Sequence, residues 1–151
     1  VVLRKAANSD AKEIKRQDDI YFKDDEIESQ MEEDIENEEI ITLPEDEEKR
    51  GFITYIAMVG NDSVGKVKLE LQEGAGGVYG LGVLPEHRRK GYGREILISA
   101  VKKLKENNAK SIMLQVAVKN EKALNLYKSC GFEKKSTMDY YMVDKTFEIN
   151  L

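Results

Sequence analysis

The sequence holds a single cysteine, Cys130, and a single histidine, His87, in 151 residues. One thiol closes no disulfide within the chain, and these two side chains cannot complete a zinc set, so no metal is expected. Sparing use of cysteine fits a reducing, cytoplasmic setting. No apolar run approaches the roughly 18 residues of a spanning helix, and no basic-then-apolar leader opens the chain, so neither membrane insertion nor secretion is expected. The chain opens on Val1 without a methionine, which leaves both a trimmed chain and one domain of a longer protein open. Two nucleotide signatures are also missing. No stretch matches the P-loop pattern, and a dinucleotide fingerprint beginning at Gly91 and Gly93 would need its third glycine where Ile96 stands.

What is present is one domain's worth of chain, read as a single unit over 1–151, with a core-forming apolar minority and a heavily charged surface. The charge is unevenly spread. From Asp18 to Glu48 sixteen acidic residues face one lysine, Lys23. From Arg88 to Lys110 the sign reverses, and eight cations face Glu95 and Glu106. The acidic half reads either as a solvated face or as an electronegative approach for a cationic substrate. It would repel phosphates, and the basic stretch lacks interleaved aromatics, so no nucleic-acid partner is expected.

Periodicity orders the elements. "VVLRKA" reads as a short strand, and Ser9 or Asp10 as the N-cap of a helix carrying Ile14 and Tyr21. Ile27, Met31 and Ile35 mark a second, mostly exposed helix, and "LPEDEEKRG" reads as a loop. "FITYIAMVG" and "VGKVKLELQ" alternate with period two around "NDS" and predict a hairpin. "EGAGG" reads as a turn before the strand "VYGLGVL". Ile96, Leu97, Ala100, Val101 and Leu104 give helical spacing that runs out near "ENNAK". The strand "SIMLQVAVK" follows, then a short helix with Asn120 as N-cap and Gly131 as its C′ residue, and "YYMVDKTFEI" closes the chain as a last strand. The order implies an α+β domain around one mostly antiparallel sheet, with one parallel pair across the central helix.

The densest positive charge falls on "VLPEHRRKGYGREIL", between a strand and an amphipathic helix. Glycines there admit backbone conformations closed to other residues, and a helix N-terminus offers unpaired N–H groups and a partial positive charge. With Arg88, Arg89, Lys90 and Arg94 the turn is suited to a polyanion.

Taken with "LQVAVKNEKALNLYKSCGF", this stretch resembles the GNAT superfamily of acyl-CoA-dependent N-acetyltransferases. The family's pyrophosphate motif, [QR]-x-x-G-x-[GA], is met by Arg88, Gly91 and Gly93. Its second mark, an Asn ahead of A-x-x-x-Y-x-x-x-G-F, is met by Asn120, Ala123, Tyr127, Gly131 and Phe132. The resemblance implies a sheet of six to seven strands flanked by about four helices, with a splayed strand pair forming the acyl-CoA cleft. It implies that Leu81, Gly82 and Val83 hold the pantetheine arm, and that Arg88, Arg89, Lys90, Gly91, Tyr92, Gly93 and Arg94 seat the diphosphate of acetyl-CoA. Asn120 and Tyr127 would contact the same cosubstrate, with Tyr127 as general acid, since an ordinary phenol pKa of about 10 keeps it protonated.

The general base departs from the pattern. A glutamate that N-terminal acetyltransferases often use falls at Gln115, which argues against the type that acts on ribosomal proteins, and a second such position falls near Val78. Glu70 is the candidate entered in its place, with Tyr79, His87 or a water chain left open. Cys130 reads as a small buried residue. The implied reaction is direct acetyl transfer to a small-molecule or protein amine in a ternary complex, by a monomer or homodimer. A polyamine, an aminoglycoside or a lysine side chain would suit the acidic region. The rival is a CoA-binding module that does not transfer.

Overall fold

Alternation in "FITYIAMVG" and "VGKVKLELQ" builds the hairpin at the middle of the sheet, β2 (Phe52–Val59) and β3 (Asp62–Gln72), joined through Gly60 and Asn61. The computed structural model describes residues 1–25, 42–117, 121–137 and 144–150. Around the hairpin are β1 (Val2–Lys5), β4 (Ala75–Val83), β5 (Ser111–Ala117), β6 (Glu133–Thr137) and β7 (Asp144–Asn150). They form one seven-stranded sheet in the order β1-β2-β3-β4-β5-β7-β6. Every neighbouring pair is antiparallel except β4 and β5. The parallel pair is bridged by α3 (Tyr92–Glu106), and the other described helices are α1 (Ala11–Asp25), α2 (Pro44–Lys49) and α4 (Glu121–Ser129).

The main core lies between the sheet and α3. Ile96, Leu97, Ala100 and Leu104 of α3 pack with Val67, Leu69, Val78, Ile112 and Leu114 of the strands. A smaller cluster of Ala6, Ile14 and Ile56 joins α1 to the opposite face. Gly131 ends α4 as its C′ residue, with Phe132 N–H donating to Tyr127 C=O and Gly131 N–H to Lys128 C=O, both at 3.1 Å. This is the six-to-one and five-to-two pairing of a Schellman cap.

Several expectations are corrected. "LPEDEEKRG" contains the helix α2, because Pro44 takes the first helical position and Glu45, Asp46 and Glu47 complement the positive end of the helix dipole. Neither Ser9 nor Asp10 caps α1. Both lie in a 3-10 turn, Asn8–Asp10, where the Asp10 carboxylate accepts from the Ala7 N–H at 2.8 Å and from the Arg4 guanidinium at 2.9 and 3.0 Å. Asp62 and Ser63 already belong to β3, and Ala75 to Gly77 to β4, so both turns are tighter than the sequence suggests. The chain closes with two strands, not one. β6 carries no apolar alternation, and as an outer strand it takes its conformation from pairing with β7. Cys130 is half-buried, packed at the margin of the main core. The helix expected around Ile27 to Ile35 lies outside the described residues.

One close approach constrains the centre. A Cβ on Gly65 would drive into the carbonyl oxygen of Gly82, a backbone atom that cannot swing away. Gly65→Ala is therefore expected to destabilise the fold by about 1–3 kcal/mol or more. Urea unfolding should show a lower midpoint at an unchanged slope; an unchanged midpoint would mean that β3 and β4 part freely.

Candidate functional site

Strand β4 changes character halfway along. Its first residues pair on both sides, Ala75–Val78 with Gln72–Leu69 of β3 and with Ser111–Leu114 of β5. Past Val78, the described residues of β4 pair only with β3. At that point β4 also carries a bulge: Lys66 faces Gly82 and Lys68 faces Tyr79, so Gly80 and Leu81 together oppose Val67. Gly80 takes φ +57, the left-handed conformation that such a bulge requires and glycine supplies most cheaply. The extra residue resets which side chain faces which way. Val78 points into the α3 core, as Leu81 and Val83 do after the bulge, while a Cβ on Gly82 would meet the Tyr21 ring of α1 at 2.5 Å.

The hydrogen-bonding direction of the second half follows from one contact. Leu84 N–H donates to Val64 C=O of β3 at 2.8 Å. Because successive residues present their polar groups to opposite edges of a strand, Val83 and Leu81 turn theirs away from β3, toward the edge on which β4 has no strand partner past Val78 among the described residues. The Arg88 Nε confirms that direction by donating to Val83 C=O at 2.9 Å. Among the described residues, this edge of Leu81 to Val83 has no partner strand.

The edge leads directly to the glycine turn. After a 3-10 turn, Pro85–His87, the chain passes through Arg89 at φ +66 and Gly91 at φ +81, and α3 begins at Tyr92. Among the described residues, the N–H groups of Arg89 to Arg94 donate to no backbone carbonyl; the first such bond of α3 is Glu95 N–H to Gly91 C=O at 3.2 Å. Gly93 sits where three elements converge, since a Cβ there would touch Leu126 of α4 at 3.6 Å and Val83 of β4 at 3.7 Å. Arg94 ties α3 to α4 by donating to the Ser129 hydroxyl at 2.9 Å. Arg89 and Lys90 are exposed beside the turn, and His87 is half-buried.

A buried lysine and a half-buried tyrosine cover the other face of β4. Lys66, only 1% exposed, puts its ammonium 2.7 Å from the Asp18 carboxylate of α1 and 3.3 Å from Gly80 C=O. Tyr21 donates to Gln17 Oε1 at 2.6 Å, and Gln17 in turn donates to Glu13 and Ser63, both at 3.1 Å. Burial, then the nearby Asp18 charge, pushes the Tyr21 phenol well above its ordinary range. Neither Lys66 nor Tyr21 was singled out for the site from the sequence. A lysine in an alternating strand reads as solvent-facing, and only the glycines at 80 and 82 hinted at a close neighbour.

Glu70 and Tyr79, two of the four base candidates, come together. The Tyr79 hydroxyl donates to Glu70 Oε1 at 3.2 Å, and its ring meets Phe52 edge-on at 5.9 Å. Burial, then the Glu70 charge and this hydrogen bond, raise the Tyr79 phenol above its ordinary pKa, so it stays neutral. Glu70 faces Gly77, one residue short of the end of the β4–β5 pairing, and Tyr79 is the first β4 residue beyond it. Tyr127 is buried in the main core, edge-on to Phe132 at 6.4 Å. Asn120 lies outside the described residues, and of Gln115 only the backbone, within β5, is described.

Residues 9–132 match the acetyltransferase (GNAT) family. The chain is 39% identical over 70 residues to an N-alpha-acetyltransferase of Sulfurisphaera tokodaii, covering 46% of this chain and 42% of that protein. It is 31% identical over 107 residues to an N-alpha-acetyltransferase of Saccharolobus solfataricus, covering 62% and 64%. It therefore spans less than two thirds of the length of either relative. The fold is that of the PaiA N-acetyltransferase from Thermoplasma acidophilum in complex with coenzyme A, with a TM-score of 0.77 at 19% identity over 99% of this chain and 98% of that one.

Two of the three causes that raise the Tyr79 phenol come from Glu70. Glu70→Gln is expected to lower the Tyr79 titration midpoint toward the ordinary value while burial keeps it above. Tyrosinate absorbance, taken as the difference from the same variant carrying Tyr79→Phe, reads it; an unmoved midpoint would mean that the pair does not interact in solution.

Proposed function

The chain belongs to the GNAT acetyltransferase family, and on that premise we propose that it transfers an acetyl group from acetyl-CoA to a primary amine, with a peptide or protein α-amine as acceptor. The observation that carries the reading is the junction of the open β4 edge with the glycine turn. The edge offers backbone groups to an extended amide-bearing arm, and the turn offers a run of unpaired N–H groups to an anion. The residues present fit acetyl-CoA. Leu81, Gly82 and Val83 would hold the pantetheine arm. The N–H groups from Arg89 through Lys90, Gly91, Tyr92 and Gly93 to Arg94 would hold the diphosphate, with Arg88 bracing the strand edge and Asn120 completing the contacts.

The thioester supplies an activated acetyl group. The acceptor must reach it neutral, and this chain carries glutamine at 115. An α-amine lightens that demand. With a pKa of about 7.7–8.0, roughly a tenth of it is neutral at pH 7, against about four parts in ten thousand for a lysine side chain at 10.4. The name borne by both relatives supports the same acceptor class. Glu70, reached through the Tyr79 hydroxyl, takes the proton that the amine loses as the new C–N bond forms. Tyr127 gives its proton to the sulfur as the C–S bond breaks. The acceptor thus moves from the polyamine, aminoglycoside or lysine expected from the acidic composition to an α-amine. Soluble action as a monomer or homodimer in the cytoplasm completes the reading.

Isothermal titration of CoA and acetyl-CoA against the wild type and Gly91→Glu tests the seat. The variant adds a negative charge to the turn and should weaken both ligands at least about tenfold, or some 1.4 kcal/mol. Equal binding would remove the diphosphate from this turn. Release of free thiol with a panel of short peptides, lysine derivatives and polyamines then tests transfer. Binding without turnover on any amine would leave a CoA-binding module. In the same assay Tyr127→Phe, which keeps the buried ring, should lower kcat by about a hundredfold or more; an unchanged kcat would make Tyr127 a core residue only.

A further inference from the structure

We infer that Lys66 is a positioning residue for acyl transfer: by holding the Gly80 carbonyl on the α1 side of the sheet, it keeps the Leu81 backbone turned into the β4–β5 cleft. This rests on the acetyl-CoA reading of that cleft and adds to it a residue that touches neither proposed ligand.

A lysine at 1% exposure in the centre of a sheet is costly to desolvate, and an apolar residue would pack there without that cost. Its head has two partners, Asp18 at 2.7 Å and Gly80 C=O at 3.3 Å. Asp18 is 51% exposed and needs no lysine to solvate it. The Gly80 carbonyl does need a partner, because the bulge takes it out of the ladder. Two residues of β4 stand against Val67 alone, so one set of backbone groups has no opposite number. Lys66 is placed to satisfy it, on the facing strand β3 and itself one of the two residues that frame the bulge.

The consequence lies one residue on. With Gly80 held at φ +57, Leu81 faces the α3 core by side chain and the cleft by its polar groups. Without that hold, β4 can relax by one residue toward regular pairing. A one-residue slip sends every side chain to the other face and every N–H to the other edge. The Leu81 N–H would then point at β3 instead of the cleft. The glycine turn, beyond Leu84 and held to Val64, would keep its place. Lys66 therefore acts on the acyl end of the site and leaves the diphosphate end alone.

The test compares Lys66→Met, which keeps the stem and volume, and Lys66→Arg, which keeps the charge, with the wild type. Lys66→Met should lower kcat by about a hundredfold with KM for acetyl-CoA held within about threefold, and Lys66→Arg should recover most of the loss. Amide NMR gives a readout free of turnover. In Lys66→Met the Tyr79, Gly80 and Leu81 signals should move in the ligand-free protein, and the Leu81 response to acetyl-CoA should fade, while Gly91 and Gly93 respond as in the wild type. Unchanged kcat together with unchanged Tyr79–Leu81 signals overturns the inference, as does a wild-type Leu81 amide that ignores acetyl-CoA. A wild type whose Leu81 responds but which acetylates no amine sinks the transferase reading alone, and the amide comparison still decides the role of Lys66. Should Lys66→Met fail to fold, Asp18→Asn carries the same comparison from the exposed side. It should shift the same signals less; identical spectra and kinetics would overturn the inference.

Discussion

One surplus residue in β4 governs the rest of this architecture. Because Gly80 and Leu81 together face Val67, the strand is out of phase with itself across the bulge. Its first half joins the parallel pair and closes the sheet; among the described residues its second half pairs only with β3. A strand buried on both faces and paired on both edges is inert. A strand paired on one edge, with its polar groups alternating outward on the other, can receive a ligand as a further strand. The bulge makes that conversion at a single point, and it does so without loosening the core, since Leu81 and Val83 return to the α3 side that Val78 occupies.

Charge is organised by the same geometry. The acidic run suggested either a solvated face or an approach for cations; several acids in its described part also make specific contacts. Glu47 pairs with Lys68, Glu48 with Lys5 and Asp18 with Lys66, while the Glu45 carboxylate accepts from the Asn8 side-chain amide and the Glu45 N–H donates to the Asn8 amide oxygen. These acids dock α1 and α2 onto basic positions of β1 and β3. Pairs of this kind are individually weak where exposed, and they fix orientation more than they add stability. Arg89 and Lys90 stand exposed at the glycine turn.

Much of the fold was legible because periodicity and capping act locally. The β2–β3 hairpin, α3 with its buried Ile96, Leu97, Ala100 and Leu104, and the Schellman end of α4 at Gly131 all follow from residues within a few positions of one another. What escaped depends on distant partners. β6 is a strand because β7 lies beside it, and α2 is a helix in a stretch whose acids find lysines on two different strands. In the site, the anion seat was legible as composition, three cations and two glycines before an amphipathic run. The Glu70–Tyr79 contact was not, because nine residues separate them in sequence and only the β3–β4 register makes them neighbours. Lys66 was invisible for a sharper reason. Alternation assigns it a face, but only the arrival of α1 decides that this face is dry.

The strength of the proposed seat would lie in its backbone and not in its arginines. An exposed cation contributes little to holding an anion in water, and salt screens what it does contribute. An N–H at a helix start is worth roughly 0.3–1 kcal/mol toward an anion when exposed and up to about 2 when partly buried, provided that it need not be ordered first. Here the ordering is already done. Gly93 lies beside Val83 and Leu126, Arg94 is spent on Ser129, and Arg88 is spent on the Val83 carbonyl. Two of the four cations that mark the turn in sequence therefore act as braces for the turn, and under the proposed reading an anion would meet a preorganised surface. On that proposal glycine at 91 matters more than any single arginine, because φ +81 is a conformation that other residues rarely adopt and it sets the direction of the N–H groups that follow.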